Sequence, residues 1–225
     1  MRDRLLKNKT LREEVVDFLR LKILRGDIKP GERIVESDVA NYFNISRGPV
    51  REAVRQLEQE GLLEYKRNKG CLVKVLTPDE AWEIYLLRSS LESLSVKVCN
   101  GIIGKEYLRR MKKAAMDMEF YVQEFDVESI IEADHTFHSQ IIKASKMNRL
   151  LELWSNMNGT SFAIFHTVVN TNRDHIKIIS QKHLNLLKVI EEGNIEKSMR
   201  EIERHYLSTG KKLYGSQLPE YLESY

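Results

Sequence analysis

The sequence predicts a mainly α-helical chain in two parts: a short N-terminal unit of three helices closed by a small β-hairpin, then a longer all-α unit. Three observations carry this. Thr10-Leu-Arg-Glu13 and Thr77-Pro-Asp-Glu80 are capping boxes, each pairing a hydroxyl and a carboxylate with the free N–H groups of a starting helix; the second has proline at the first helical position. Between them the helical period gives way once, after Gly61, to two short apolar runs around a basic turn. Beyond Thr77 no strand pattern recurs. The boundary therefore falls between residues 1–76 and 77–225.

In the first part, Leu11, Val15, Leu19 and Ile23 repeat at helical spacing, and Gly26 is a stop signal. Pro30-Gly31 is a turn, and Arg33-Ile34-Val35 a candidate short strand. Ser37 is placed to cap a short helix through Phe43. Asn44-Ile45 is a tight connection, and Ser46 caps a longer helix that runs to Gly61. Leu62–Lys66 and Cys71–Val75 then form the hairpin, with Gly70 free to take positive φ at its turn. Helix, helix, helix, hairpin is the order of a winged helix-turn-helix. In the second part, helices are expected at about 78–100, 104–124, 127–145, 148–170, 174–192 and 195–214, with a peripheral tail from Gly215.

A chain of 225 residues with 42% apolar and 31% charged residues can bury two modest cores. No apolar run is long enough to cross a bilayer, and the first ten residues lack the apolar stretch of a secretory signal, so a cytoplasmic protein is expected. Cys71 and Cys99 stand far apart and suggest neither a disulfide framework nor a cysteine zinc site. The first 76 residues hold 17 Lys+Arg against 12 Asp+Glu, and the remainder 19 against 21. The basic surplus at one end suits contact with phosphates there.

The helix after Ser46 sharpens that expectation. Val50, Ala53, Val54 and Leu57 share one face, and Arg47, Arg51 and Arg55 recur every fourth residue beside it. An arginine stripe near a helix N-terminus can enter the DNA major groove, pairing with guanine edges or clamping phosphates. Lys66, Arg67 and Lys69 crowd the hairpin tip, where Gly70 lets backbone approach a groove closely.

A second constellation lies in the helical part. Asp134 and His138 are four apart, so they project from one helix face. Gly193-Asn194 joins the last two helices as an antiparallel hairpin. His183 and His205 lie about 15–17 Å from that turn at 1.5 Å per residue, level with each other. If both face inward they meet the Asp134/His138 face, as bundle metal sites require. Three imidazoles and a carboxylate suit a divalent ion such as Zn, Ni, Mn or Fe and leave positions open for an oxyanion. His135 points about 100° away from Asp134 and is left out; His166 and His175 are read as surface or core residues.

Residues 29–75 resemble the DNA-binding domain of the GntR family through Pro30-Gly-Glu-Arg33, Ser46-Arg-x-Pro-Val-Arg-Glu-Ala, Glu60-Gly-Leu and the basic hairpin closing on Gly70. The resemblance implies DNA contacts from Ser46, Arg47, Arg51 and the wing. Gly48 stands where threonine is usual and Ser37 where several members carry arginine. The second part resembles the FCD effector domain of the FadR subfamily through Tyr85-Leu-Leu-Arg88 with Leu91-Glu92, Asp134-x-x-Phe-His138, His183 with Leu187 and Ile190, and His205. This implies a six- or seven-helix bundle, a metal on Asp134, His138, His183 and His205, and a small organic acid touching both the metal and Arg88. Arg88 could equally pair with Glu92 one turn along. The family's alanines after His183 and before His205 are here Val189 and Ser198, a change expected at the pocket edge.

The function expected is that of a transcription regulator. It would bind a palindromic double-stranded operator as a homodimer, since each chain has one reading helix, and would answer to a small carboxylate. The alternatives are a metal-dependent enzyme using the Asp/His centre, for which no base is placed by spacing, and a purely structural metal.

Overall fold

The computed structural model describes residues 9–171 and 176–214. Among these, the chain is mainly helical with one two-stranded antiparallel sheet, in the order α1 Leu11–Leu24, α2 Glu36–Phe43, α3 Arg47–Gln59, β1 Leu63–Lys66, β2 Gly70–Val73, α4 Pro78–Val98, α5 Lys105–Gln123, α6 Val127–Ala144, α7 Asn148–Ser155, α8 Asn158–Thr171, α9 Ile179–Glu191 and α10 Ile195–Tyr214. It divides into two compact units, Met1–Val75 and Leu76–Tyr225. No described helix is long and apolar enough to cross a membrane.

In the first unit α1 starts at the Thr10 capping box, with Thr10 and Glu13 satisfying each other's backbone N–H. Its buried residues, Val15, Val16, Leu19, Ile23 and Leu24, pack on α3, which buries Val50, Ala53, Val54 and Leu57. Leu11, the first residue of the periodic pattern, is half exposed and lies outside this core. Helix α2 starts earlier than expected: Val35 is its N-cap residue, and the Ser37 hydroxyl bonds to Asp38 instead of capping. Ser46 holds the N-cap position of α3, but its hydroxyl makes no cap bond. Asn44 supplies the left-handed residue that turns α2 into α3. The hairpin pairs Leu63 with Val73 through Lys66 with Gly70. Asn68 shares the positive-φ work of its turn with Gly70. Arg33–Val35 is not a strand; only Arg33 bridges to Leu72.

In the second unit α4 runs from the Thr77 capping box and lies along α10. Helices α5 and α6 pack as an antiparallel pair, with α9 on α5 and α6 also on α4. The single helix expected over 148–170 is two. Asn156 and Met157 form a turn between α7 and α8, which brings Asn158 to the start of α8 and within reach of α4. Helix α9 starts at Ile179, and the expected start at 174, like His175 and the tail from Gly215, lies outside the described residues.

The buried side of α4 is polar as well as aromatic: Tyr85, Arg88, Glu92 and Ser95 stand on it with Trp82 and Val96. Two glycines set the height of the last hairpin. Gly193 (φ +72°) turns α9 into α10, and Gly101 (φ +77°) ends the loop after α4 directly against the Gly193 carbonyl. A Cβ at Gly101 would collide with that backbone oxygen, and the left-handed conformation adds strain for any L side chain. Gly101→Ala is therefore expected to destabilise the helical unit by about 2–3 kcal/mol, read as a lower urea midpoint with an unchanged slope; an unchanged midpoint would show that the two loops move apart freely.

Candidate metal and nucleic-acid sites

The inward faces of α6, α9 and α10 meet at Asp134, His138, His183 and His205. The three imidazoles each offer a ligand atom, and these atoms lie within 4.8 Å of one another. The ring centroids of His183 and His205 are 4.6 Å apart, and His138 stands 5.3 and 5.1 Å from them. Asp134 Oδ1 lies 2.9 Å from His183 Nε2 and 3.8 Å from His138 Nε2. His138 and His183 are buried, Asp134 and His205 partly so.

Hydrogen bonding fixes how two of the rings face. His183 Nδ1 sits 2.8 Å from the Ile179 carbonyl, an acceptor, so Nδ1 carries the ring proton. Its Nε2 is buried and stands 2.9 Å from the Asp134 carboxylate oxygen. His138 Nδ1 lies 2.8 Å from Glu92 Oε2, which turns its Nε2 toward the same carboxylate. Imidazole nitrogens and a carboxylate converging in the interior need positive charge among them, carried by a ring proton or by a metal ion. The donor set thus fits a divalent ion of the borderline kind that takes imidazole and carboxylate.

Burial would raise the Asp134 carboxyl, but His138, His183 and Arg88 outweigh it and hold its pKa below the ordinary value. Burial likewise works against charge on His138, yet the Glu92 and Asp134 carboxylates pull its pKa up.

Above this cluster opens a pocket lined by Tyr85, Ser161, Phe165, Ile179, Lys182, Tyr206 and Thr209 together with Asp134 and the three histidines. Arg88 does not line it. It is buried one layer behind, its guanidinium 3.9 Å over the Trp154 ring, donating to Tyr206 Oη at 3.2 Å and Asn158 Oδ1 at 3.3 Å. The expected Arg88–Glu92 pair is replaced by a relay, because the Tyr206 hydroxyl stands between them and donates to Glu92 Oε1 at 2.6 Å. His135, left out on direction, stacks on Trp154 with its centroid 5.0 Å away, and burial pushes its pKa down to about 3. Val189 and Ser198 do not reach the pocket edge. Ser198 is buried where α9 and α10 meet, with its hydroxyl 3.5 Å from the Val189 carbonyl.

In the first unit, Ser46, Arg47, Arg51, Arg55 and Lys69 are exposed. A groove between α3 and the hairpin is lined by Arg33, Glu36, Ser37, Arg47, Arg51, Arg55, Tyr65 and Gly70. Glu36 Oε2 stands 3.7 Å from both Arg47 and Arg51. A Cβ at Gly70 would press on the Arg33 guanidinium at 3.2 Å. Arg33, Glu36 and Tyr65 escaped the helix-stripe argument because they reach the groove from the segment before α2, from the first residue of α2 and from β1. Gly48 has ordinary helical backbone, and a Cβ there would meet the Ser46 hydroxyl at an ordinary 3.8 Å, so glycine is not a steric requirement there.

Comparison with known proteins gives two matches along the chain: residues 11–73 to the "Bacterial regulatory proteins, gntR family" and residues 83–208 to the "FCD domain". The uncharacterized HTH-type transcriptional regulator YdhC of Bacillus subtilis is 30% identical over 190 residues, 84% of each chain. The gluconate operon transcriptional repressor of Bacillus licheniformis is 25% identical over 205 residues, again 84% of each. Two solved structures share the fold. A GntR regulator structure from Rhodococcus sp. RHA1 has a TM-score of 0.74 at 24% identity, covering 91% of this chain and 98% of that one. E. coli McbR/YncC has a TM-score of 0.75 at 20% identity, covering 93% and 100%.

Proposed function

The chain belongs to the gntR family of bacterial regulatory proteins, in the FCD-bearing FadR subfamily, and from that premise we propose that it is a transcription regulator whose operator affinity is set by a small organic acid bound at a divalent metal. The observation that carries the sensing half is the convergence of three imidazoles whose ligand atoms lie within 4.8 Å of one another, with Asp134 2.9 Å from His183 Nε2, at the wall of a pocket. Asp134, His138, His183 and His205 would hold the metal, which supplies a Lewis-acid anchor for an oxyanion. Lys182, Ser161, Thr209, Tyr85 and Tyr206 line the space beside it. A cationic pocket with polar residues in its wall would select a chelating hydroxy, keto or sugar acid; a relative here represses a gluconate operon, and gluconate is such an acid.

The DNA half rests on α3 and the wing. Arg47, Arg51 and Arg55 would enter the major groove, with Ser46 at the helix start and Lys69 and Gly70 of the wing on the backbone. Glu36 holds Arg47 and Arg51 only loosely at 3.7 Å in water-exposed positions, so their forks remain available to guanine edges or phosphates. Two chains related by a two-fold axis would read a palindrome. Acid binding changes operator affinity only through unequal affinity for the DNA-bound and free arrangements.

Three measurements test this reading. Arg47→Ala and Arg51→Ala should each weaken operator binding by about 1–3 kcal/mol, whereas Lys69→Ala should weaken binding to operator and scrambled duplex alike and flatten the salt dependence. Arginine variants with parental affinity for the operator would move the reading surface elsewhere.

Elemental analysis of the purified protein should find about one divalent ion per chain, lost in His183→Ala and in His205→Ala. Metal retained in both variants would exclude this donor set.

Arg88 is the third test. Its guanidinium, now on Tyr206 and Asn158, would keep the Tyr206 bond and exchange the Asn158 bond for a carboxylate oxygen, a division of donors that a lysine ammonium does not reproduce. Titration of small acids against operator binding should show a coupling of roughly 1–3 kcal/mol in the parent. Arg88→Lys should keep metal and fold and lose most of that response; an equal response would take Arg88 out of the sensing step.

A further inference from the structure

Glu92 of α4 has no exposed surface, and each of its carboxylate oxygens is used. Oε1 accepts from Trp154 Nε1 at 3.0 Å and from Tyr206 Oη at 2.6 Å; Oε2 faces His138 Nδ1 at 2.8 Å. Three donors from three helices converge on one buried acid. Two of them, the indole N–H and the phenol, occupy Oε1, which leaves Oε2 to take the imidazole proton. That arrangement makes Nδ1 the protonated nitrogen of His138 and sends Nε2 toward Asp134. A carboxylate behind a ligating imidazole fixes its tautomer and raises its basicity.

We propose that Glu92 is the positioning residue of the metal site, locking His138 in the one tautomer and orientation that ligates, and that Tyr206 and Trp154 in turn lock Glu92. The proposal rests on the reading that His138 binds a divalent ion, and it adds a chain of contacts from that ion's ligand to Arg88, since Tyr206 donates to Glu92 while accepting from the guanidinium. Without that network Glu92 would be a costly buried charge.

Glutamine is the informative replacement because it keeps the shape and offers one acceptor oxygen in place of two. If its oxygen serves His138, its amide meets the indole N–H donor to donor. If its oxygen serves Trp154 and Tyr206, its amide faces His138 and drives the ring proton to Nε2, where the metal would bind. Either arrangement breaks one support of the site.

Two readouts test the proposal, one of them independent of metal. In metal-free protein, at a pH where the imidazoles are neutral, side-chain ¹⁵N spectra should show His138 protonated at Nδ1 alone in the parent and a mixture or the opposite tautomer in Glu92→Gln. A mixed tautomer in the parent overturns the positioning role whether or not the protein binds metal. In the second readout, zinc competition titration should show Glu92→Gln weaker than the parent by about 10–100-fold. Tyr206→Phe, which keeps the ring and removes one donor, should be weaker by a smaller factor and carries the test if the glutamine variant does not fold. A Glu92 that served only to staple helices would lower the melting temperature and leave zinc affinity of the folded protein unchanged, and that result overturns the proposal while leaving the metal reading intact. A parent that binds no zinc, nickel, manganese or iron overturns the metal reading, and with it the role of Glu92 toward a ligand.

Discussion

The helical unit is organised around a meeting of imidazoles and a carboxylate in its interior. An imidazole nitrogen and a carboxylate oxygen stand 2.9 Å apart, with the Ile179 carbonyl behind that ring and Glu92 behind the neighbouring one. The His138 and His183 rings are held in direction, because both are buried and their Nδ1 atoms are engaged. Such a centre charges the rest of the bundle with holding four side chains from three helices still. The polar inner face of α4, the tight Gly101–Gly193 contact and the turn between α7 and α8 all serve that end. Donors held in place in this way would remove ordering cost from the binding of a metal ion.

The fold class was legible because its signals are local. Capping boxes at Thr10 and Thr77, a hairpin with glycine at its turn, and helical periodicity each act within a few residues. What local pattern missed has local reasons as well. The break at Asn156 is marked by the run Ser155-Asn-Met-Asn-Gly159, whose Asn-Gly pair is a turn signal; helical periodicity alone runs through it, and Gly159 itself lies inside α8. Val35 precedes α2 without any side-chain cap, so the more usual capping residue, Ser37, drew the boundary inward. Periodicity also says little about α4, where the buried stripe includes arginine, glutamate and serine in place of purely apolar residues.

The site was legible to different depths. Equal arm lengths on either side of Gly193 put His183 and His205 at one level, and the i, i+4 spacing put Asp134 and His138 on one face; these are one-dimensional arguments, and the four residues do share one cluster. Glu92, Tyr206 and Lys182 could not be found that way. They reach the cluster or its pocket by side-chain direction across helices separated by up to 114 residues in sequence. Arg88 shows the limit most clearly: a helical repeat pairs it with Glu92, whereas a tyrosine from the far end of the chain takes the intervening place.

His205 and Tyr206 are sequence neighbours, and a helix turns about 100° between them. One lies with the histidines and the other between Arg88 and Glu92, so the inner side of α10 is taken up by two networks at this level. An insertion or deletion anywhere between His183 and Tyr206 would rotate one arm of the hairpin against the other and misplace two networks at once. Among relatives that keep this centre, length changes should accumulate before α9 or after the level of Tyr206, and the 21-residue interval between His183 and His205 should pass through divergence as a fixed ruler.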